Sequence, residues 1–391
     1  MTVYYPTFRP AVSPLTIVTR VRELPYAGEV LVRVGHRVEP DEVVARTLLP
    51  ARGRRIPVAR LLGIAEKDLP TAVLLEDGAE VEAGDILVRV GRIRPRIFRS
   101  PLSGTLSTAE AALGYLVITP PAQSLEVRAA LKGYVLAVEP YRSVTIQTPA
   151  AVVQGAFGLG GERHGVLRVA VTSAGDELLP EMIDERSALA ILLGGGPVSA
   201  ATLERAVSYR VRGLVVGSIP VEELRTFLGY RSDADWEWDG WTFPPGTAGR
   251  DFPLTLVVTE GFGRRPMCSR AFELLASYDG QEALIEGRTC LHGADMYRPQ
   301  VVVPLPRADA SAIPPEEEAE RLVVGTEVRL LGEDFLGQVG TVVAFPRGLR
   351  ALAGGARYRV AEVRLETGAV VAVPLENLEV LGPGKARRAV R

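Results

Sequence analysis

The segment E-G-F-G-R-R-P-M-C (260–268) brings together a carboxylate, two glycines, two arginines and a cysteine. Glycine lets a backbone come close to a ligand, and guanidiniums hold a carboxylate or phosphate through forked hydrogen bonds. These residue types predict the holding of a small anion. Two further loops join this one if the apolar runs before them are parallel strands, because such loops emerge at one sheet edge. The candidate anion site then comprises Gly194, Gly195, Gly196, Ser218, Glu260, Gly261, Arg264 and Arg265. Ordinary strand-to-helix turns need the same glycines, and that reading stands beside the ligand one. No nucleophile–base pair or carboxylate pair can be assigned, so no catalytic residue is named. Cys268, next to a helix start, is open to a reactive-thiol reading. The two cysteines (Cys268, Cys290) and three histidines (His36, His164, His292) lack ligand spacing, and no metal is expected.

A second constellation is cationic. R-V-G-R-I-R-P-R-I-F-R (89–99) alternates Arg92, Arg94 and Arg96 with Ile93, Pro95 and Ile97. In an extended strand the three guanidiniums would share one face, about 6.6 Å apart, a spacing suited to successive phosphates of a nucleic acid. A solvated face paired with glutamates is the alternative. Arg52, Arg54, Arg55 and Arg60 strengthen the phosphate reading if they lie on the same side. Of 45 basic residues only Lys67, Lys132 and Lys385 are lysines, so lysine chemistry has almost no place in this chain.

The elements that would position these groups begin with an internal repeat. Residues 30–46 align without gaps on 73–89, matching Gly35 to Gly78, Val38 to Val81 and Glu39 to Glu82. Each copy reads as a strand, a glycine turn, a short extended piece and a second strand, and two such halves would close one β core. Residues 136–171 read as further strands. The glycines of 155–165 are assigned to a β connection, since a phosphate loop should open a helix. From 172 to 306 strands and helices alternate. A-L-A-I-L-L (188–193), G-L-V-V-G-S-I (213–219) and L-T-L-V-V-T (254–259) are apolar strands, with helices capped by Ser199 and started by Pro220. That order predicts a small parallel α/β domain. Trp236, Trp238 and Trp241 sit in one excursion, as a clamp on the sheet edge or as partner anchors. Proline and glutamate make 307–321 a linker. Residues 322–381 form a last β unit before the basic tail 382–391.

Two resemblances are carried by motifs. G-A-E-V-E-A-G-D-I-L (78–87), followed by S-P-L-S-G-T-L (100–106), resembles the barrel-sandwich hybrid superfamily. Its members include lipoyl and biotinyl carriers and modules of the RNA polymerase β′ subunit. The likeness covers Val73 to Ser107, with residues 1–135 as the domain it implies. Carriers place a modified lysine on the hairpin before S-P, and here that position is Ile93, so no lipoyl or biotin cofactor is expected. V-G-T-E-V-R-L-L-G-E-D-F-L-G-Q-V-G-T-V-V (324–343) resembles a KOW motif, which opens an SH3-like barrel in transcription and ribosomal proteins. The resemblance implies partner contact at Gly340 and at Gly337 in the preceding turn. Glu333 and Asp334 depart from the basic pattern of an RNA binder, which favours protein contact or structural capping.

With 47% hydrophobic and 24% charged residues and a net charge of −2, the 391 residues should fold into several soluble domains. The chain reads as a multidomain α+β protein: an N-terminal all-β barrel-sandwich hybrid, a central parallel α/β domain and a C-terminal SH3-like barrel. No apolar run is long enough to span a membrane, and a cytoplasmic place is expected. The leading expectation is a non-catalytic binding or scaffold protein associated with RNA, the ribosome or RNA polymerase, with protein partners. One alternative is an enzyme or sensor binding a small anionic ligand at the α/β domain. Another is a cytoplasmic accessory subunit of a membrane electron-transport or transport assembly.

Overall fold

Short alternating runs and abundant glycine turns give a fold in which 44% of the described residues are strand and 16% helix, with several sheets. The computed structural model describes residues 12–92, 94–230, 244, 247, 250–289, 298–305, 322–330, 335, 337–346, 348, 350–351 and 357–382. Ile93, the three tryptophans, the 307–321 linker, Glu333 and Asp334, and the tail beyond 382 lie outside the described residues. Among those described, no helix is long and apolar enough to cross a membrane.

The repeat is more extensive than its sequence trace. In the outer copy, strand Val43–Leu49 pairs Gln123–Arg128, with Ala45 opposite Val127 and Thr47 opposite Leu125. In the inner copy, Ile86–Val90 pairs Arg96–Arg99, with Val88 opposite Phe98 and Val90 opposite Arg96. A shift of 43 residues relates the first strands, and a shift of 29 in the opposite sense relates the second. The same shifts relate Gly133↔Val38 to Val81↔Gly104. They also carry the bond from Gly35 N to Val135 O onto that from Gly78 N to Leu106 O. Gly133 and Gly104 are themselves equivalent. A Cβ on either would fall within 2.6 Å of a carbonyl oxygen of the neighbouring strand, so both sites require glycine.

The two copies do not share a core, contrary to the expectation of two halves closing one. Val38, Val44, Val135, Val144 and Ile146 make the outer core, and Val81, Leu87, Leu106, Leu116 and Ile118 make the inner one. Each copy is complete because it finds its closing strands elsewhere in the chain. The outer copy takes them from Gln123–Arg128, Gly133–Glu139 and the start of Ser143–Gln154, while the inner copy takes Arg96–Arg99, Gly104–Ser107 and Leu116–Thr119. The inner copy lies wholly between Leu49 and Gln123, the last pair of the outer hairpin. It adds helices Val58–Leu62 and Leu69–Ala72, which the outer copy lacks.

The outer copy runs directly into the body through Ser143–Gln154. Four strands of the body are mutually parallel: Glu162–Val169, Ala190–Leu193, Gly213–Ile219 and Thr255–Phe262. Segment 136–171, expected as a β extension, therefore contributes to the same sheet as 172–306. Antiparallel strands Glu282–Glu286 and Gln300–Pro304 lead back to Ser143–Gln154. Phe157–Leu159, the continuation of that strand, pairs Thr255–Phe262. Gly155 N donates to Pro299 O at 2.8 Å and Ala156 N to Val258 O at 2.8 Å. Consecutive amides of an extended strand point to opposite edges, so the sheet closes on itself at this point. Helices Ala200–Ser208, Val221–Leu228 and Ser269–Ala276 follow the parallel strands, the first capped by Ser199, whose Oγ accepts from Thr202 N. Their apolar faces join the largest core, around Phe157, Ile191, Leu214 and Val257.

The C-terminal unit is a five-stranded antiparallel sheet in the order Val370–Pro374, Val360–Leu365, Val339–Ala344, Glu327–Leu330, Leu378–Gly382. Its own core is built on Val328, Val342, Val363 and Leu378. Charged groups fasten it to the body. Arg329 lies between Glu379 (3.1 Å) and Glu260, and Arg298 holds the other oxygen of Glu379 at 2.9 Å. The side chains of Arg329 and Glu379 are only 6% and 2% exposed, so this chain of alternating charge is an internal one.

Candidate functional site: a cleft between the body and the C-terminal sheet

The three glycine loops do meet at one sheet edge, where they fill the space they enclose. Ser218 Oγ accepts from Arg265 N at 2.7 Å and donates to Arg265 O at 2.9 Å. Met267 N donates to Gly195 O at 2.7 Å, and Gly217 N donates to Gly196 O at 3.1 Å. Behind them, Asp176 accepts from Thr172 N and Ser173 N, and bonding to Ser173 holds its carboxyl below the usual range. Gly194 donates to Val215 O in strand Gly213–Ile219, and Gly195, Gly196 and Ser218 thus bond to neighbouring loop backbone. Arg264 points to solvent and pairs with Glu177 at 3.6 Å. Glu260 is turned to the domain boundary, with one oxygen on Cys268 N at 3.0 Å and the other on Arg329.

The open space lies one step outward. A cleft of about 550 Å³ separates the body from the C-terminal sheet. Val221, Glu222, Phe262 and Arg265 line it from the body, and Gln338 and Glu366 from the sheet. The body residues stand after strands Gly213–Ile219 and Thr255–Phe262, the edge at which parallel sheets commonly receive ligands. Arg265 spans the boundary, its Nη1 donating to Gly337 O at 2.8 Å. Gly337 has φ +81°, and a Cβ there would lie 2.6 Å from Glu260 O, so both conformation and contact exclude a side chain. Two groups of predicted site residues therefore face each other: Gly337 from the C-terminal unit, and Glu260, Gly261 and Arg265 from the body. Gly340 is elsewhere, inside the sheet opposite Leu365 and against Arg364 O.

The arginine segment is bent, which removes the expected common face. Gly91, Arg92, Arg94 and Pro95 belong to the turn between Ile86–Val90 and Arg96–Arg99. Arg92 and Arg94 sit exposed in that turn, whereas Arg96 begins the second strand. Arg96 Nη1 donates to Leu62 O at 2.6 Å and Gly63 O at 3.1 Å, capping the end of helix Val58–Leu62. Gly91 and Pro95 are the turn residues that break the alternation. Arg60 belongs to the same helix and so stands near this end of the hairpin. Arg55 pairs with Glu110 and lies over the Tyr115 ring. Arg52, Arg54, Arg60, Arg89, Arg92 and Arg94 are exposed and enter no ion pair among the described residues.

Compared with known protein families and with curated proteins, the chain matches none. Glu222, Gln338 and Glu366 were not among the sequence candidates, and neither was Arg329. Glu222 had a local signal, the first turn of a helix begun by proline. Arg329 had one too, a charge inside the apolar run V-R-L-L. The docking that gives both a role joins residues 69 or more positions apart.

Proposed function

We propose that the chain is a non-catalytic binding protein that attaches to RNA, as part of the transcription or translation machinery, through the inner copy of its repeat. The observation carrying this reading is the turn of Arg92 and Arg94, exposed, without ion pairs, and braced by Arg96 on two backbone carbonyls. Exposed guanidiniums on a turn braced in that way contact phosphates without sequence preference. The barrel-sandwich and KOW resemblances, both recurrent in that machinery, give the class of partner. With Gly337 turned toward the body, the C-terminal unit is read as a protein-contacting module. Purified protein should bind RNA with affinity that falls steeply with salt. Arg92→Ala/Arg94→Ala should lower the slope of log K against log salt by about 2, roughly one unit per lost phosphate contact. Salt-independent binding, or no binding at low ionic strength, would falsify the reading.

A second reading rests on the cleft, where Arg265 faces a space also lined by Glu222 and Glu366. Two carboxylates beside one guanidinium suit a small zwitterion better than the bare anion expected from the loops. Saturating ligand stabilises by an amount that grows with the logarithm of its concentration over Kd, about 2.7 kcal/mol at a hundredfold excess. A thermal-shift series with amino acids and phosphorylated metabolites should raise Tm for a zwitterion, and Glu366→Gln should abolish the rise. If no compound shifts the wild-type protein, the cleft is only a seam between domains.

A further inference from the structure

The nested repeat assigns a separate mechanical identity to the inner copy. The strands of the outer copy have counterparts in it, including the edge strand, with Glu29–Val30 matched by the single bridge of Val73 to Val88. Arg20↔Ile146 and Arg22↔Val144 in one correspond to Arg54↔Ile118 and Ile56↔Leu116 in the other. A unit with all of its strands and its own core of twelve buried residues has what it needs to fold alone. Its only covalent links are the two crossings beside Leu49 and Gln123, at the end of a two-stranded ribbon. Among the described residues no hydrogen bond or ion pair joins 54–119 to the rest of the chain; Arg55, Arg96 and Arg99 all bond within it. The outer copy is the opposite case. It is welded to the body by Arg22 on Glu162 (2.6 Å), Arg20 on Glu286 (3.0 Å) and Lys132 close to Glu282 (4.0 Å).

Charge is uneven along the hairpin of this unit, where Arg99 at the base is held on Gly84 O at 2.7 Å. Glu76, Asp77, Glu80, Glu82 and Asp85 precede the base of its hairpin, where Ser100 N donates to Asp85 O at 2.8 Å. Arg89, Arg92 and Arg94 lie from the middle of the hairpin to its apex, beside the helix that carries Arg60. The paired segment rises about 13 Å between Ile86 and Val90, longer than the screening length in physiological salt. A polyanion approaching the apex therefore meets arginines with little opposition from the acidic end.

We propose that residues 50–122 are an autonomous head on a two-stranded stalk, and that this head alone grips the phosphate backbone of RNA. The second half of that statement rests on the RNA-binding reading above; the first half does not. The test exploits the register. Leu49 faces Gln123, so replacing 50–122 by Asn-Gly should close the outer hairpin with a two-residue turn. The shortened chain should unfold cooperatively, with the near-ultraviolet and thermal signature of a packed body, and should lose RNA affinity at least tenfold. In the intact protein, hydrogen exchange in mild denaturant should show 54–119 opening as one unit before the body. Retained RNA binding by a folded shortened chain overturns the head assignment while leaving the RNA reading intact. Exchange of the 54–119 amides only through global unfolding overturns the autonomy, whether or not the shortened chain folds. If the intact chain binds no RNA, the function proposed above fails with the grip, and exchange alone then decides whether the head is autonomous.

Discussion

Replacing Arg329 with methionine is expected to destabilise the protein by about 3–5 kcal/mol, the usual consequence of removing one partner from a buried charge pair. The cost comes from what remains. Glu379 keeps Arg298, but Glu260 loses its ion-pair partner and Thr259 O loses a donor at 3.1 Å. Glu260 is 12% exposed and Glu379 2%, so water can do little to replace the guanidinium. The loss should fall on the attachment of the C-terminal sheet, because Arg329 belongs to that sheet and Glu260 to the body. Urea unfolding followed by circular dichroism would then show an earlier transition for the C-terminal unit. Changing Arg298, Glu260 and Glu379 to apolar residues in the same variant should recover much of the loss, since a buried ionic cluster exchanged whole for apolar groups is often neutral. A loss below about 1 kcal/mol for the single change would mean that solvent reaches the network.

The half of the repeat at 30–46 and 73–89 was legible because its strands keep one spacing and share Gly, Val and Glu at matching positions. The other half was not. A-A-L-K-G-Y-V (129–135) corresponds to S-P-L-S-G-T-L (100–106), sharing only Leu131 with Leu102 and Gly133 with Gly104. Its shift has the opposite sense, because one copy lies inside the other. Period-two patterning reports strands and faces but carries no information about which distant strand completes a sheet. For the same reason the alternation of Arg92, Arg94 and Arg96 misled: periodicity treats a turn between two short strands as one longer strand. Helix-start residues fared better, since Ser199 caps the amide of Thr202 and Pro220 fixes its own backbone angle, both of them local effects. The cleft was the least legible feature, as its two walls come from units whose docking depends on Arg329 and Glu379, charges that a pattern reading assigns to the surface.

The largest effect expected of a purely apolar change is at Phe157, where the body sheet closes. Its ring is fully buried and lies 4.5 Å, centroid to centroid, from that of Phe262. Truncation to alanine removes an aromatic side chain from between strands held in place on both edges, so the site cannot collapse easily. A cost of about 3–5 kcal/mol follows from the lost burial and the cavity left behind, and Phe157→Leu should cost less because it leaves less of that volume empty. Chemical denaturation would measure both, and a loss near 1 kcal/mol for the alanine variant would show that the closure relaxes into the space. The same substitution reaches the candidate site, because Phe262 packs on Phe157 with one part of its surface and lines the cleft with another. Any ligand stabilisation measured for the wild-type protein should therefore shrink in Phe157→Ala, whereas RNA binding, assigned to a head outside the body, should not change. Parallel loss of both would contradict the separation of the two sites.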